Sequence, residues 1–435
     1  MWAYESVFYQ IYPLGLTGAP FENDGVQRDG LKKISGWIDH IKKLNVNAVY
    51  FSPLFESDTH GYNTRDYRMV DKRLGSNEDL KDLVDKFHEN GIKVILDGVF
   101  NHVGRGFFAF RDVQEHRENS RYCSWFYLNF DGDSPYHDNF WYEGWEGNYD
   151  LVKLNLKNPE VTDYLMDSVR FWIDYFHIDG LRLDVAYMVD RDFLRRLRRE
   201  TEEMKKDFFL LGEMIGGDYR EIMNDQCCHS VTNYECRKGL YSSMNSMNLF
   251  EIKSSLERQF GHEPWCLYTG MHPVSFVDNH DVSRIATELT DKNQLKPLYA
   301  LMYAMPGIPM IYYGSEWGIE GSKSDGDQAL RPEIKEPQWN DLTDYIARLG
   351  AIRKSCSVLS YGDYRTLLIT NRQMIFDRRS DDGRIIFAIN IDSNPYHADF
   401  NAEAGRAHEL ITGTDVDFGG GLDIPAYTAM IMQPF

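Results

Sequence analysis

Gly180-Leu-Arg-Leu-Asp-Val-Ala186 is the stretch from which the rest of the chain is read. Leu181, Leu183 and Val185 alternate with Arg182 and Asp184, and a period of two is that of a β-strand. Apolar helical patterns flank it on both sides, which places the strand inside an α/β sheet. Arg182 and Asp184 are two apart and so project to one face. Burying a carboxylate is unfavourable unless it is paired, and Arg182 is a ready partner. Taken alone, the two residues are as readily a structural ion pair as a reactive group.

Upstream, residues 7–14, 47–54 and 93–100 are further strand-like runs. Leu31, Ile34, Trp37, Ile38, Ile41 and Leu44 keep helical spacing between the first two. Ser76 with Asp79 makes a capping box for a helix that turns Leu80, Leu83, Val84 and Phe87 inward and stops at Gly91. Downstream, Asn158-Pro159 caps and opens a helix through Val161, Leu165, Val169 and Trp172 that runs into the quoted strand. Residues 190–206 form another, with Phe193, Leu197 and Met204 on one face; its interleaved Arg and Glu residues are a solvated surface rather than a binding patch. Strands at 208–213, 230–234, 273–279 and 307–313 complete eight units, which predicts a (β/α)8 TIM barrel over 1–101 and 158–354. The rhythm breaks at 102–157, where no periodic element is clear but aromatics such as Tyr122, Trp125, Trp141 and Trp145 are dense. A segment that long is uncommon without a function, so it is expected to be a small inserted domain. From 355 to 435 the pattern is antiparallel, with strands at 365–370, 373–377 and 384–391 and a turn at Ser380-Asp-Asp-Gly383, which predicts a C-terminal β-sandwich domain.

The 435 residues are 43% hydrophobic, 26% charged and 14% aromatic, with a formal net charge of -20. Such a chain is repelled by phosphate backbones and anionic lipid, which argues against nucleic acid and membrane partners. Met1-Trp-Ala-Tyr-Glu-Ser-Val-Phe lacks a basic segment followed by an apolar run, and no apolar stretch reaches the ~18 residues of a span. Six Cys in a chain of this length make no disulfide framework, so a cytoplasmic location is expected. Cys227-Cys228-His229 is a poor zinc chelate, because adjacent Cys cannot grip one ion well and no CxxC pair completes it.

Acidic residues stand at the carboxyl ends of four strands: Asp97, Asp184, Glu213, and Asp278 with Asp281. Barrel active sites sit at that end. Converging carboxylates repel one another, so the arrangement calls for a cation or a chemical use. Two uses compete: holding a metal for hydrolysis, or flanking a glycosidic bond. His60, His102 and His280 lack metal-chelating spacing, and the nearby aromatics suit the C–H faces of sugar rings, which favours the glycosidase.

Asp97-Gly-Val-Phe-Asn-His102, Gly180-Leu-Arg-Leu-Asp184, Gly212-Glu213 and Phe276-Val-Asp-Asn-His-Asp281 resemble, in order, four signature regions of the α-amylase superfamily, glycoside hydrolase family 13. Gly61-Tyr-Asn-Thr-Arg-Asp-Tyr67 and Gly307-Ile-Pro-Met-Ile-Tyr-Tyr-Gly-Ser-Glu316 extend the likeness over nearly the whole chain. The resemblance implies that Asp184 is the nucleophile, Glu213 the acid and then the base, and Asp281 the residue that holds ring hydroxyls. It implies that Arg182 orients Asp184 and keeps it ionised, that His102 and His280 bind sugar hydroxyls, and that Tyr62 stacks under the cleaved sugar. Asp97 is then structural. Two-step chemistry of this kind retains anomeric configuration, with carboxyls about 5–5.5 Å apart and Glu213 protonated at the start.

Tyr187-Met188 stand where typical α-amylases carry Lys-His, a sugar-binding and a calcium-binding position. Asn101 matches a common calcium ligand of the family; calcium is thus left open, and no cofactor is required. Leu151-Val-Lys-Leu-Asn155 resembles the fifth region of neopullulanases and cyclomaltodextrinases. Those usually carry an extra N-terminal β-domain that builds their dimer, whereas here the first strand begins near residue 7; monomer and homodimer both stay open. The expected activity is retaining hydrolysis of α-1,4 bonds, with α-1,6 bonds open, in maltodextrins or cyclodextrins. The alternatives are a transglycosylase or a sucrose- or trehalose-acting relative, and a non-catalytic glycan-binding homologue.

Overall fold

The computed structural model describes residues 1–435. Eight parallel strands form the barrel: β1 (Phe8–Ile11), β2 (Ala48–Phe51), β3 (Lys93–Gly98), β4 (Gly180–Leu183), β5 (Phe209–Gly212), β6 (Ser230–Val231), β7 (Val274–Ser275) and β8 (Ile308–Tyr312). They lie side by side in the order β6-β5-β4-β3-β2-β1-β8-β7. An isolated parallel bridge between Thr232 and Val274 joins the two edges and closes the ring.

Strand alternation sorts the interior into layers. Phe8, Ala48, Tyr50, Ile95, Phe209, Leu211, Val274, Phe276, Ile308 and Met310 pack into one inner apolar cluster. One pleat nearer the carboxyl ends, buried positions turn polar at Gln10, Asp97 and Arg182. The β3–β4 register sets Gly180 beside Ile95 and Arg182 beside Asp97. A Cβ on Gly180 would fall 2.3 Å from the Phe209 carbonyl oxygen, so only glycine lets β4 and β5 approach this closely. The helix Pro159–Phe176 delivers β4; Asn158 accepts its first-turn N–H from Glu160, and Val161, Leu165, Val169 and Trp172 are buried. Ser76 and Asp79 form the capping box of Asn77–Glu89.

Several expectations change. β1 stops at Ile11 because Pro13, which has no N–H to donate, opens a one-turn helix. The spacing over Leu31–Leu44 belongs to two helices, Gly30–Ser35 and Ile38–Lys43, interrupted at Gly36 and Trp37. β7 is only two residues, because Phe276 onward leaves the ladder. The segment after β3 is not without regular structure. His102–Gly104, Asn148–Lys153 and Gly144–Trp145 make a three-stranded sheet, and Phe108–His116 is a helix burying Ala109, Phe110 and Val113. Elements of two to nine residues are too short for a period to register in sequence.

The C-terminal sheet has six antiparallel strands: Asp363–Ile369, Gln373–Ser380, Gly383–Asn390, Thr428–Pro434, Arg406–Glu409 and Thr414–Asp417. Tyr396–Ala398 pairs separately with Leu422–Ile424. A single cluster of 106 buried residues runs through the barrel's outer shell and into this sheet, taking in Phe376, Phe387 and Ile431. No helix is long and apolar enough to cross a membrane.

Candidate active site

Leu183 is in register with Gly98 on one side and Gly212 on the other. The ladder persists one residue beyond β4 and β5: Asp184 donates its N–H to Gly98 O (3.1 Å), and Glu213 donates its N–H to Leu183 O (2.9 Å). Both side chains therefore project from the rim of the barrel. Val185 follows with φ +40, a left-handed backbone that a β-branched residue adopts at a cost of ~1–3 kcal/mol. Its N–H donates to Glu213 Oε2 (2.9 Å), so the strained turn ties the two carboxylate residues together.

Arg182 lies beneath them, 3% exposed at the side chain. Its Nη1 donates to Asp184 Oδ1 (2.8 Å) and to both oxygens of Asp97 (3.0 Å each). Its Nη2 lies 2.9 Å from Glu213 Oε2. The Tyr50 hydroxyl donates to Asp97 Oδ2 (2.6 Å). One cation thus serves three buried carboxylates. Burial raises all three: Asp97 and Asp184 are each pushed up to about 7, and Glu213 is raised as well. As the resemblance implies, Arg182 pulls Asp184 toward its ionised form, by charge and by hydrogen bond, against lost hydration and the repulsion from Glu213 and Asp281.

Asp281 behaves oppositely. Burial would raise it, but His280 Nε2 (2.9 Å from Oδ2) and Arg331 Nη2 (2.8 Å from Oδ1) hold it well below the usual carboxylate range. Burial lowers His280 to about 4, so its ring is neutral at pH 7. Gln10 Nε2 donates to Nδ1 (2.7 Å), which leaves the ring proton on Nε2, facing Asp281. Burial likewise lowers His102 to about 3. The Asn101 amide nitrogen donates to its Nδ1 (3.2 Å), and the buried Nε2, which has no partner in the chain, stands 3.8 Å from Asp184 Oδ2 as an open donor. The Tyr62 ring stacks on His280, with centroids 5.5 Å apart and planes 7° apart.

Asp184, Glu213, Asp281, Tyr62 and His102 line one cleft of about 640 Å³. Arg182 and His280 support it from below. Asp278 stays out of it, accepting from Ser315 Oγ and the Ile285 N–H. The inserted segment supplies Trp145 and Asp150, the latter 3.6 Å from His60. No three His, Cys, Asp or Glu side chains gather in a metal-holding group, and Cys227 and Cys228 are buried free thiols. Sequence reasoning missed Arg331, Asp327, Tyr234 and Ile215, which also line the cleft. Arg331 reaches Asp281 across fifty positions of sequence, and no local pattern announces it.

A coupled carboxyl pair, a third carboxylate held ionised, two neutral imidazoles and an aromatic wall suit attack at an acetal carbon with protonation of the departing oxygen. A family model described as the α-amylase catalytic domain matches residues 10–356. The chain belongs to the α-amylase family.

This glycosidase is 31% identical over 425 residues to a maltogenic α-amylase of Bacillus acidopullulyticus, covering 90% of this chain and 70% of that one. It is 33% identical over 396 residues to neopullulanase 2 of Thermoactinomyces vulgaris, covering 84% and 65%. Among solved structures, the ligand-free cyclic α-maltosyl-(1→6)-maltose hydrolase of Arthrobacter globiformis superposes with a TM-score of 0.85 at 27% identity and covers 100% of both chains. The α-amylase-family barrel and its antiparallel C-terminal sheet are thus shared end to end with that hydrolase.

Proposed function

We propose that the chain is a retaining hydrolase of α-glucans, acting on maltodextrins or cyclodextrins in the cytoplasm. The observation that carries the mechanism is the shared guanidinium: Arg182 holds Asp184 by one nitrogen and Glu213 by the other. Both carboxyls lie within hydrogen-bond reach of one guanidinium, an arrangement that suits the short carboxyl separation of retaining enzymes (about 5–5.5 Å). Asp184 is the nucleophile that bonds to the anomeric carbon. Glu213 carries the proton of the coupled pair; both of its bonds fall on Oε2, leaving Oε1 for the leaving oxygen. After departure the same carboxylate takes a proton from water, which releases the sugar from Asp184. Asp281, held ionised, accepts ring hydroxyls and favours the oxocarbenium-like state, and His102 Nε2–H donates to a hydroxyl near the nucleophile.

The named activities of the relatives support the substrate class, and relatives called intracellular maltogenic amylase, such as that of Bacillus subtilis, support the compartment. The chemistry requires no cofactor. Maltoheptaose, a cyclodextrin and pullulan are the substrates to try, with the first product anomer followed by NMR. Release of α-product is expected; initial β-product refutes retention, and inertness toward all three refutes the substrate class.

A further inference from the structure

Gln10 sits on β1, in register with Tyr50 of β2 and Tyr312 of β8, and is fully buried. It points into the barrel one pleat above Phe8. Its Nε2 lies 2.7 Å from His280 Nδ1, 270 positions away, and 3.1 Å from Ser52 Oγ, while its Oε1 has no partner. An amide turned the other way would put an oxygen against Nδ1, and the ring would then need its proton there. The far side of the ring excludes that. His280 Nε2 faces Asp281 Oδ2 at 2.9 Å and also meets the Tyr62 hydroxyl. The ring is buried, and burial keeps it neutral, so it carries a single proton. A bare Nε2 would set a lone pair against the carboxylate that Arg331 helps hold ionised. The proton therefore belongs on Nε2, and Gln10 donates to Nδ1.

One polarity then runs through the buried layer. His280 Nε2–H is shared by Asp281 and the Tyr62 oxygen. The Tyr62 O–H is left for Asp97 Oδ2 (3.4 Å), which also accepts from Tyr50 and Arg182. In the opposite tautomer Nε2 takes the Tyr62 proton, Asp97 loses that donor and Asp281 faces an acceptor. Gln10 does not line the cleft, so whatever it does for the reaction passes through the His280 ring.

We infer that Gln10 is a positioning residue that fixes His280 as its Nε2–H tautomer and so keeps Asp281 and Tyr62 set for the reacting ring. Its part in turnover rests on the α-glucan reading above; its hold on the imidazole does not. Gln10→Met keeps the volume and removes the donor together with the unpartnered oxygen, and Gln10→Glu keeps the shape and turns the donor into an acceptor. Nitrogen NMR of the histidine-labelled chain, with the His280 signals identified by their loss in His280→Asn, reads where the proton sits. The parent at pH 7 shows Nε2 protonated and Nδ1 bare. Gln10→Met mixes the two tautomers, and Gln10→Glu draws a proton onto Nδ1, giving an imidazolium between two carboxylates. Turnover on maltoheptaose falls about tenfold for Gln10→Met and about a hundredfold for Gln10→Glu, with KM within about threefold. A merely space-filling role leaves the ring proton in place in both variants. That result, a parent protonated on Nδ1, or turnover within about twofold of the parent's in both variants overturns the assignment. Inertness of the parent toward every α-glucan removes the hydrolase reading, while the ring spectra still decide what Gln10 does to His280.

Discussion

Arg182 is the residue on which three carboxylates depend, and that makes its removal different in kind from theirs. Replacing it with Leu leaves Asp97, Asp184 and Glu213 buried without a cation, a loss of about 3–5 kcal/mol that urea unfolding should register. Asp184→Asn instead removes one of three mutually repelling groups. Turnover on maltoheptaose falls by about 10⁴-fold or more, while the unfolding midpoint does not fall. The pH dependence has a definite sign. Asp184 is raised to about 7 in the folded chain, against about 3.9 for an unfolded Asp. Between those values the folded state binds more protons than the unfolded one, so this group's contribution to stability is lost as pH rises from about 4 to about 7. Asp184→Asn abolishes that titration, and its Tm should gain on the parent's between pH 5 and pH 8; parallel melting profiles refute this. Activity should decline on the alkaline side as Glu213, raised by burial, loses the proton it donates to the leaving oxygen.

At the scale of elements, what matters is how a helix aims a strand. The helix Pro159–Phe176 is held at its start by Asn158, which accepts from Glu160 N (2.9 Å) and donates to Ser124 O (3.1 Å). Asn158→Ala loses the cap and the link to the inserted segment. Stability should drop by about 1 kcal/mol in urea, with turnover per folded molecule unchanged, because β4 is also fixed by β3 and β5. The barrel was legible because eight apolar runs alternate with helical spacing, and caps such as Ser76-x-x-Asp79 mark helix starts. The inserted sheet was not, because its pairing partners His102–Gly104 and Leu151–Lys153 are about fifty residues apart and each strand is short.

The whole molecule should unfold as one cooperative body. The barrel shell and the C-terminal sheet share one apolar cluster, and the buried Arg378 on that sheet donates to Ala304 O (2.8 Å) in the barrel. Burial lowers this guanidinium to about 9, and it has only backbone carbonyls for partners, Gly362 O among them (2.7 Å). Cutting the chain after residue 356 strips cover from Tyr303, Met305 and their neighbours. Calorimetry of the full chain should show a single transition, and the truncated barrel should be insoluble; a soluble, folded 1–356 fragment refutes the shared core.

The eight-fold rhythm, the antiparallel C-terminal pattern and the carboxylates at the strand ends were determined by the sequence alone, since periodicity and turn chemistry act over a few residues. The alternation at Leu181, Leu183 and Val185 suffices to put Arg182 and Asp184 on one face. That Arg182 is divided among three acids, that Arg331 holds Asp281, and that Gln10 meets His280 were decided by tertiary structure. Those facts depend on distances between residues tens to hundreds of positions apart. Electrostatic energy and burial are set by such distances, not by order along the chain.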